Sequence, residues 1–267
     1  MRLSACLIAA DPAWIEASVL SYYNAVDRIF VSYDVDGDPI EVETALRRLR
    51  VIDAERKLVL VPGKYGRSAE TFQRQAVLDE ASVGVDWVLQ IDTNEVIGDL
   101  LTFLGALTEA NRRGFGGLEY PARNFYRQIG GTNFLECCRP GWRVAAGYSG
   151  PVAVRARSTL LSGRHCDTSL YRVDFSHRNT DPAQPRQAPV HRVIAQVEGI
   201  YHYAPTGCGG TEDRAARDWE RCGRHPYLSV AAGPVRQFVV RGAPKWLRIS
   251  KGHASPAWAP QLSGQDR

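Results

Sequence analysis

The stretch "LSACLIAADPAWIEASVLSYYNAVDRIFVSYD", from Leu3 to Asp34, contains the pattern that decides the fold. It opens with a continuous apolar run that has the length of a buried strand. Asp11 and Pro12 then provide an N-cap and a first helical position, and the apolar residues that follow fall on one broad helical face. A second apolar run ends at Asp34. Strand, helix and strand in this order predict two parallel strands joined by a helical crossover.

Strand and helix continue to alternate through the first hundred residues. Further helices are predicted over 37–50 and 68–82, and further strands over 57–63 and 85–92. Short, continuously apolar strands with helical crossovers predict an α/β fold whose mostly parallel sheet is covered by helices on both faces. Ligands of such sheets bind at the carboxyl ends of the strands. Asp34 and Asp92 are both expected at such ends.

The second half of the chain has a different pattern. A predicted helix over 100–114 is followed by strands with turns, a proline-rich loop over 181–189 and a helix over 211–222. No composition shift forces two independent domains. We therefore expect a single domain over 1–241 with a mixed second half, and an irregular tail over 242–267.

The composition and the charge distribution exclude some classes of protein. The 267 residues are 44% apolar, which is ordinary for a globular protein, and the formal net charge of +4 is spread without a block of like charge. This distribution argues against a nucleic-acid partner. No segment resembles a signal peptide or a transmembrane helix, and the six cysteines form no C-x-x-C pair. These features predict a cytoplasmic protein with reduced thiols.

The segment "WVLQIDTNEVIGD", from Trp87 to Asp99, ends an apolar run in polar residues. Asp92, Asn94 and Glu95 carry oxygen atoms that can hold a divalent cation, which would bridge the phosphates of a nucleotide. Asp and Asn also favour ordinary turns. The residues alone leave a cation site and a solvated turn as alternatives.

Two blocks of the first hundred residues resemble family 2 glycosyltransferases of the GT-A fold. The first is "SACLIAADPAWIEASVLSYYNAVDRIFVSYDVDGD", and the second, "RQAVLDEASVGVDWVLQIDTNEVI", ends in a D-x-D type motif followed by a further acid. A looser resemblance continues to "GIYHYAPTGCGGTEDRAARDWERC", a late strand with a histidine and then a helix. The resemblance implies a nucleotide-binding half over 1–99 and an acceptor-side half over 100–241.

The resemblance also implies roles for individual residues. Asp34 would lie near the uracil or ribose of a UDP-sugar donor. Asp92 and Asn94 occupy the two D-x-D positions, where Asn94 keeps an oxygen but loses a charge that the family usually has. His202 would complete the shell of a Mn or Mg ion, and Glu95 would either bind the ion or orient a neighbouring ligand. A lone histidine between tyrosines, as His202 is, is also often a packed core residue. An inverting mechanism is implied as well.

Other residues are candidates from their own chemistry. Lys64 and Arg67, in "PGKYGRS" after the third strand, can donate charge-assisted hydrogen bonds to a diphosphate, or can be solvated surface residues. A general base must remove the proton of the acceptor hydroxyl. Asp167 is the first candidate, because it follows His165 in a glycine-bounded turn; Asp174 and Glu136 are the others.

These features predict a nucleotide-sugar-dependent glycosyltransferase. The acceptor is an unidentified glycan, lipid or small molecule. One alternative is a nucleotidyltransferase, although "AADPAW" stands where a glycine-rich, basic signature would follow the first strand. The other is a degenerate GT-A domain that binds a ligand without turnover, which the loss of a charge at Asn94 favours.

Overall fold

The computed structural model describes eight parts of the chain, which are 1–9, 12–64, 70–130, 133–139, 143–144, 146–180, 188–203 and 247–251. Arg67, the helix predicted over 211–222 and most of the predicted tail lie outside the described residues. No helix in the described parts is long and apolar enough to cross a membrane.

The helices and strands follow the alternation expected from the sequence. The helices are α1 (Ile15–Leu20), α2 (Pro39–Ile52), α3 (Glu70–Ala81) and α4 (Leu100–Arg112). The strands of the first half are β1 (Leu3–Ile8), β2 (Arg28–Asp34), β3 (Leu58–Gly63), β4 (Trp87–Gln90) and β5 (Glu95–Ile97). The later strands are β6 (Gly117–Glu119), β7 (Ala122–Gly130), β8 (Asn133–Arg139), β9 (Arg143–Val144), β10 (Ala146–Gly147), β11 (Ala153–Arg155), β12 (Leu160–Ser162), β13 (His165–Cys166), β14 (Leu170–Asp174), β15 (Arg192–Val193), β16 (Ile200–Tyr203) and β17 (Leu247–Lys251).

The larger sheet has the strand order β15-β14-β6-β11-β4-β1-β2-β3. Neighbouring strands are parallel everywhere except at β11, which runs antiparallel to both β4 and β6. The prediction of a mostly parallel α/β sheet is therefore confirmed. The carboxyl ends of β2, β3 and β4 lie at one edge of this sheet.

Helices cover both faces of the larger sheet, as the continuously apolar strands require. Alternate residues of β4 point to opposite faces: Trp87 and Leu89 join the core beneath α1, α2 and α4, whereas Val88 joins the core beneath α3. Both cores are closed to solvent, and full burial of a side chain such as Leu89 contributes about 1.5–3 kcal/mol. The sheet therefore provides a rigid platform for the side chains at its edge.

A second sheet has the order β17-β8-β7-β16-β5, with parallel and antiparallel pairs, as expected for a mixed second half. It is joined to the first sheet by the short turn between β4 and β5. Strand β16 runs antiparallel to β5 and places His202 opposite Glu95. The late histidine and the polar residues after β4 are thus brought together by strand pairing.

Helix α1 begins later than the sequence predicts. Trp14 occupies the N-cap position with φ −114° and ψ 1°, outside the helical region. Its ring stacks on Tyr203 of β16 with centroids 4.0 Å apart, and this tertiary contact holds it out of the helix. Helix α2 begins at Pro39, two residues after the predicted start, because Asp38 caps it by accepting hydrogen bonds from the backbone N–H groups of Ile40 and Glu41.

The close approach of β5 to the turn before β16 can be tested with Gly98→Ala. An added Cβ would lie 2.5 Å from the carbonyl oxygens of Val197 and Gly199, which are backbone atoms and cannot move aside cheaply. We expect a loss of about 1–3 kcal/mol in the free energy of unfolding, measured by urea denaturation.

Gly105→Ala in α4 is the matched control. Its added Cβ meets the mobile end of Arg192 at 3.2 Å, and alanine is the better helix former by about 1 kcal/mol. We expect unchanged or raised stability. Equal urea midpoints for Gly98→Ala and the wild type would contradict the described contact.

Candidate functional site

Asp92 lies where the chain leaves β4 and turns into β5. The turn is closed by two hydrogen bonds of 3.0 Å: the Glu95 N–H donates to the Asp92 carbonyl, and the Asp92 N–H donates to Glu95 Oε2. The Ser18 hydroxyl of α1 donates to the same Asp92 carbonyl at 2.8 Å. The segment is therefore a turn, but it also holds two acids at the junction of the two sheets.

Two arginines neutralise these acids. Arg74 of α3 donates from Nη2 to Asp92 Oδ1 at 2.9 Å and from Nε to Glu70 Oε1 at 2.8 Å. Arg164 donates from Nη2 to Glu95 Oε2 at 2.6 Å, and the same nitrogen contacts Asp92 Oδ2. The side chains of Arg164 and Glu95 are 2% exposed, whereas that of Asp92 is 29% exposed. Asp92 is thus the outer member of a buried ion-pair cluster.

A hairpin carries Arg164 to this position. Strands β12 and β13 are joined at Gly163, whose φ of +55° suits a tight turn, and the Gly163 N–H donates to Thr71 Oγ1 of α3 at 2.9 Å. Gly150 faces Arg164 with φ +104°, and an added Cβ there would lie 3.1 Å from Arg164 Cβ. The hairpin is thus held to α3, and a glycine leaves room for the arginine.

The charges of Asp92 and Arg164 are fixed over a wide pH range. Burial alone would raise the pKa of Asp92, but the adjacent Arg164 and Arg74 hold the pKa of that carboxyl well below its usual range. Burial would lower the pKa of Arg164, but Asp92 and Glu95 raise it above the usual value. Burial also raises the pKa of the nearby Cys6 thiol to about 12, so this cysteine is a neutral core residue.

Asn94 and His202 lie beside the acids but are occupied by other groups. Asn94 Nδ2 donates to the Tyr203 carbonyl at 2.7 Å, and the Tyr203 N–H donates to the Asn94 carbonyl at 2.9 Å. His202 Nδ1 is 3.0 Å from Asn124 Oδ1. Asn94 therefore fastens β16 to the turn that follows β4.

The four predicted metal ligands, Asp92, Asn94, Glu95 and His202, are neighbours, but their arrangement does not fit a metal ion. In the described parts of the chain, no group of three or more His, Cys, Asp or Glu side chains is placed to hold one. Both carboxylate oxygens of Asp92 contact guanidinium groups, and so does Glu95 Oε2. The cations at this place are the arginines themselves.

Asp34 and Lys64 lie at the same edge as Asp92. Asp34, the last residue of β2, is paired in register with Gly63 of β3, and Lys64 follows directly with its Nζ 3.5 Å from Asp36 Oδ2. A groove of about 270 Å³ opens beside Asp34 and is lined by residues that include Tyr33, Val42, Leu46 and Arg50. The edge therefore combines a partly apolar groove with the ion-pair cluster.

Asp167 is not brought to this edge. It is exposed in the turn after β13, and the next residue, Thr168, packs against Gly116 at the start of β6. Arg155 of β11 donates its N–H to the Gly116 carbonyl and is paired in register with Trp87, the first residue of β4. Gly116 and Trp87 therefore lie at the same end of their strands. Asp92 is five residues further along, or about 16 Å at about 3.3 Å per residue. Asp167 lies towards the opposite edge of the sheet.

The other two candidate bases have structural partners. Asp174 is fully buried and accepts hydrogen bonds from the backbone of Phe175, Ser176 and Thr180. Glu136 is fully buried and forms a bidentate pair with Arg123, with distances of 2.7 and 2.9 Å.

Sequence reasoning missed Arg74 and Arg164. Arg74 has a signal in retrospect, because it continues the helical face formed by Val77, Leu78 and Ala81 and therefore needs a buried partner. Arg164, in "SGRHCD", has no periodic pattern around it, and only the folded hairpin reveals its position.

No protein-family model and no curated protein matches this chain. Among solved structures, mannose-6-phosphate isomerase from Helicobacter pylori is similar over 59% of this chain and 62% of its own, with 11% identity and a TM-score of 0.31. Mannose-1-phosphate geranyltransferase from Thermus thermophilus is similar over 60% of this chain and 51% of its own, with 14% identity and a TM-score of 0.32. The chain thus spans less than two thirds of the length of either protein. The resemblance to family 2 glycosyltransferases stays a prediction.

The pairing of Asp92 with two arginines predicts how stability depends on pH. The pKa of Asp92 in the folded protein lies below its unfolded value of about 3.9. The ionised Asp92 carboxylate therefore contributes fully to the free energy of unfolding above that pH, and this contribution is lost as the pH falls below about 4. We expect Asp92→Asn to cost about 3 kcal/mol near neutral pH, and the difference from the wild type to shrink between about pH 4 and pH 2.

Urea denaturation at several pH values measures this difference. Asp27→Asn is the control, because Asp27 pairs with Arg2 at the exposed surface and such pairs contribute about 0–1 kcal/mol. A difference between Asp92→Asn and the wild type that stays constant down to about pH 2 would show that the arginines do not hold this carboxylate ionised.

Proposed function

We propose that this protein is a glycosyltransferase that moves a sugar from a nucleoside-diphosphate donor, UDP-sugar first among them, to an acceptor hydroxyl. One observation carries the proposal. The carboxyl edge of a mostly parallel sheet combines the groove beside Asp34 with the Asp92, Arg74 and Arg164 cluster. Parallel α/β sheets bind their ligands at this edge.

The two parts of the edge suit the two parts of such a donor. Val42 and Leu46 give the groove an apolar part against which a nucleobase can pack, and the Asp34 carboxylate can accept hydrogen bonds from the base or the ribose. The diphosphate and the sugar would then extend along the edge towards Asp92. Lys64 follows β3 on this edge and is a further donor to phosphate oxygens.

The proposed reaction breaks one bond and forms another. The acceptor oxygen attacks the anomeric carbon of the donor, the bond from that carbon to the phosphate oxygen breaks, and the nucleoside diphosphate leaves with the electron pair. Negative charge develops on the leaving diphosphate, and fixed positive groups stabilise it without reorganising. Arg74 and Arg164 are the proposed groups, and Asp92 holds both of them in place.

The proton of the acceptor hydroxyl passes to a general base, for which Asp167 is the proposed residue. Its turn lies towards the other edge of the sheet, as described above. The acceptor class is open between a glycan, a lipid and a small molecule.

A binding module without turnover is the second candidate. Its supporting observation is that both oxygens of the Asp92 carboxylate are already engaged by arginines, so that Asp92 has a structural role in the ground state. Such a protein would bind the donor and release no product.

Product analysis on a panel of nucleotides and nucleotide sugars tests the proposal. A glycosyltransferase releases a nucleoside diphosphate from a nucleotide sugar, whereas a nucleotidyltransferase consumes a nucleoside triphosphate and a sugar phosphate and releases pyrophosphate. A ligand that binds only the folded state also raises its stability, by about 2.7 kcal/mol at a hundred times Kd. We expect stabilisation by UDP and release of UDP from a UDP-sugar.

The site variant for this assay is Asp92→Ala. Losing the group that orients both arginines is expected to lower the rate of UDP release about a hundredfold. Asp86→Ala is the control, because Asp86 precedes β4 and so stands at the other end of the same strand. If no nucleotide stabilises the wild type, the donor site is not at this edge. Stabilisation without product would favour the binding module.

A further inference from the structure

Hydrogen-bond donors already occupy the carboxylate oxygens of Asp92 and Glu95 that a metal ion would need as ligands. Asp92 Oδ1 accepts from Arg74, and Asp92 Oδ2 contacts Arg164. Glu95 Oε2 accepts from Arg164 and from the Asp92 N–H, and Glu95 Oε1 accepts from the Ser149 hydroxyl at 3.3 Å. Every carboxylate oxygen of the two acids therefore already has a donor.

A single nitrogen takes the position that a bridging cation would need. Nη2 of Arg164 lies between Asp92 Oδ2 and Glu95 Oε2, and it is 2.6 Å from the latter. A divalent cation shared by these oxygens would sit about 2.0–2.2 Å from each, where it would overlap this nitrogen. A metal ion and Arg164 therefore exclude one another.

Arg164 is also difficult to displace. Its side chain is 2% exposed, its hairpin is attached to α3 through Thr71, and Gly150 packs against its Cβ. Moving a buried guanidinium away from two carboxylates would leave charges of both signs without partners. We therefore expect Arg164 to stay in contact with both carboxylates when no ligand is bound.

The guanidinium has one donor that is still without a partner. Nη1 of Arg164 is buried and makes no hydrogen bond among the described residues. An unpaired buried donor is unfavourable, and an anionic oxygen is the partner that compensates best for it. The neighbouring Asp92 is 29% exposed, so the cluster meets solvent at this carboxylate, and this is where a ligand at the edge of the sheet would approach it.

We infer that Arg164, assisted by Arg74, takes the place of a divalent cation, so that the site binds a nucleoside diphosphate without metal. The choice of ligand rests on the proposed function, whereas the exclusion of the metal rests on the cluster alone. Sugar transfer by this protein would then be insensitive to chelators, unlike a reaction that depends on Mn or Mg.

The first experiment titrates the protein with Mn²⁺ alone. Binding is measured as the decrease in the electron paramagnetic resonance signal of the free ion. We expect no stoichiometric binding to the full-length wild type. Arg164→Ala removes the guanidinium and leaves two adjacent carboxylates, so this variant should gain a Mn²⁺ site. Arg155→Ala is the matched control: Arg155 stacks over Trp87 away from both acids, and its loss should create no site.

The second experiment needs no variant and therefore holds even if Arg164→Ala does not fold. Calorimetry measures the Kd of UDP for the wild type in EDTA and in Mn²⁺. We expect the two values to agree within about threefold, a difference below about 0.7 kcal/mol.

Three results would overturn the inference, and they bear differently on the proposed function. Stoichiometric binding of Mn²⁺ by the wild type would show that Arg164 does not exclude the metal. A Kd for UDP more than about tenfold weaker in EDTA would show a metal-dependent site, and the proposed glycosyltransferase function would stand. Absence of UDP binding under both conditions would overturn the inference and the donor site together.

Discussion

The arrangement of the site depends on one contact, in which Nη2 of Arg164 lies between the carboxylates of Asp92 and Glu95. Two acids this close would repel one another in a medium of low dielectric constant, and the guanidinium makes their proximity favourable. Because these charges are nearly buried, removing one partner leaves the others uncompensated. The contact thus fixes the turn after β4 and the hairpin of Arg164 relative to one another, and Arg74 and Thr71 attach the first turns of α3 to the same place.

This constraint lies where the two sheets join. Strand β4 ends in the centre of the larger sheet, and β5 begins the smaller one after the turn that contains Asp92 and Asn94. Asn94 binds the backbone of Tyr203, so β16 is attached to the same turn. A ligand bound at the carboxyl edge would therefore contact both halves of the chain. The proposed transfer uses this geometry, with the donor on the first half and the acceptor on the second.

The sequence predicts the fold well and the site in part. The alternation of apolar strands and helices is a local consequence of burial, so it fixes the parallel sheet and the positions of Asp34 and Asp92 at its edge. Arg164 is 69 residues from Glu95, and its position depends on a hairpin that has no local signature. The sequence also shows which oxygens are present but not which of them are already engaged. For that reason it predicts metal ligands at Asp92 and Glu95 but not the contact of Arg164 with both of them.

The Arg164 guanidinium contacts both Asp92 and Glu95, and we propose that it replaces a metal ion at an edge that binds a nucleotide. A crystal structure of the protein grown with UDP and MnCl2, with data collected for the anomalous scattering of manganese, tests it most directly. We expect the nucleotide at the carboxyl edge beside Asp34, Arg164 in contact with both acids, and no anomalous peak between them. A manganese peak between Asp92 and Glu95, with Arg164 displaced, would contradict it.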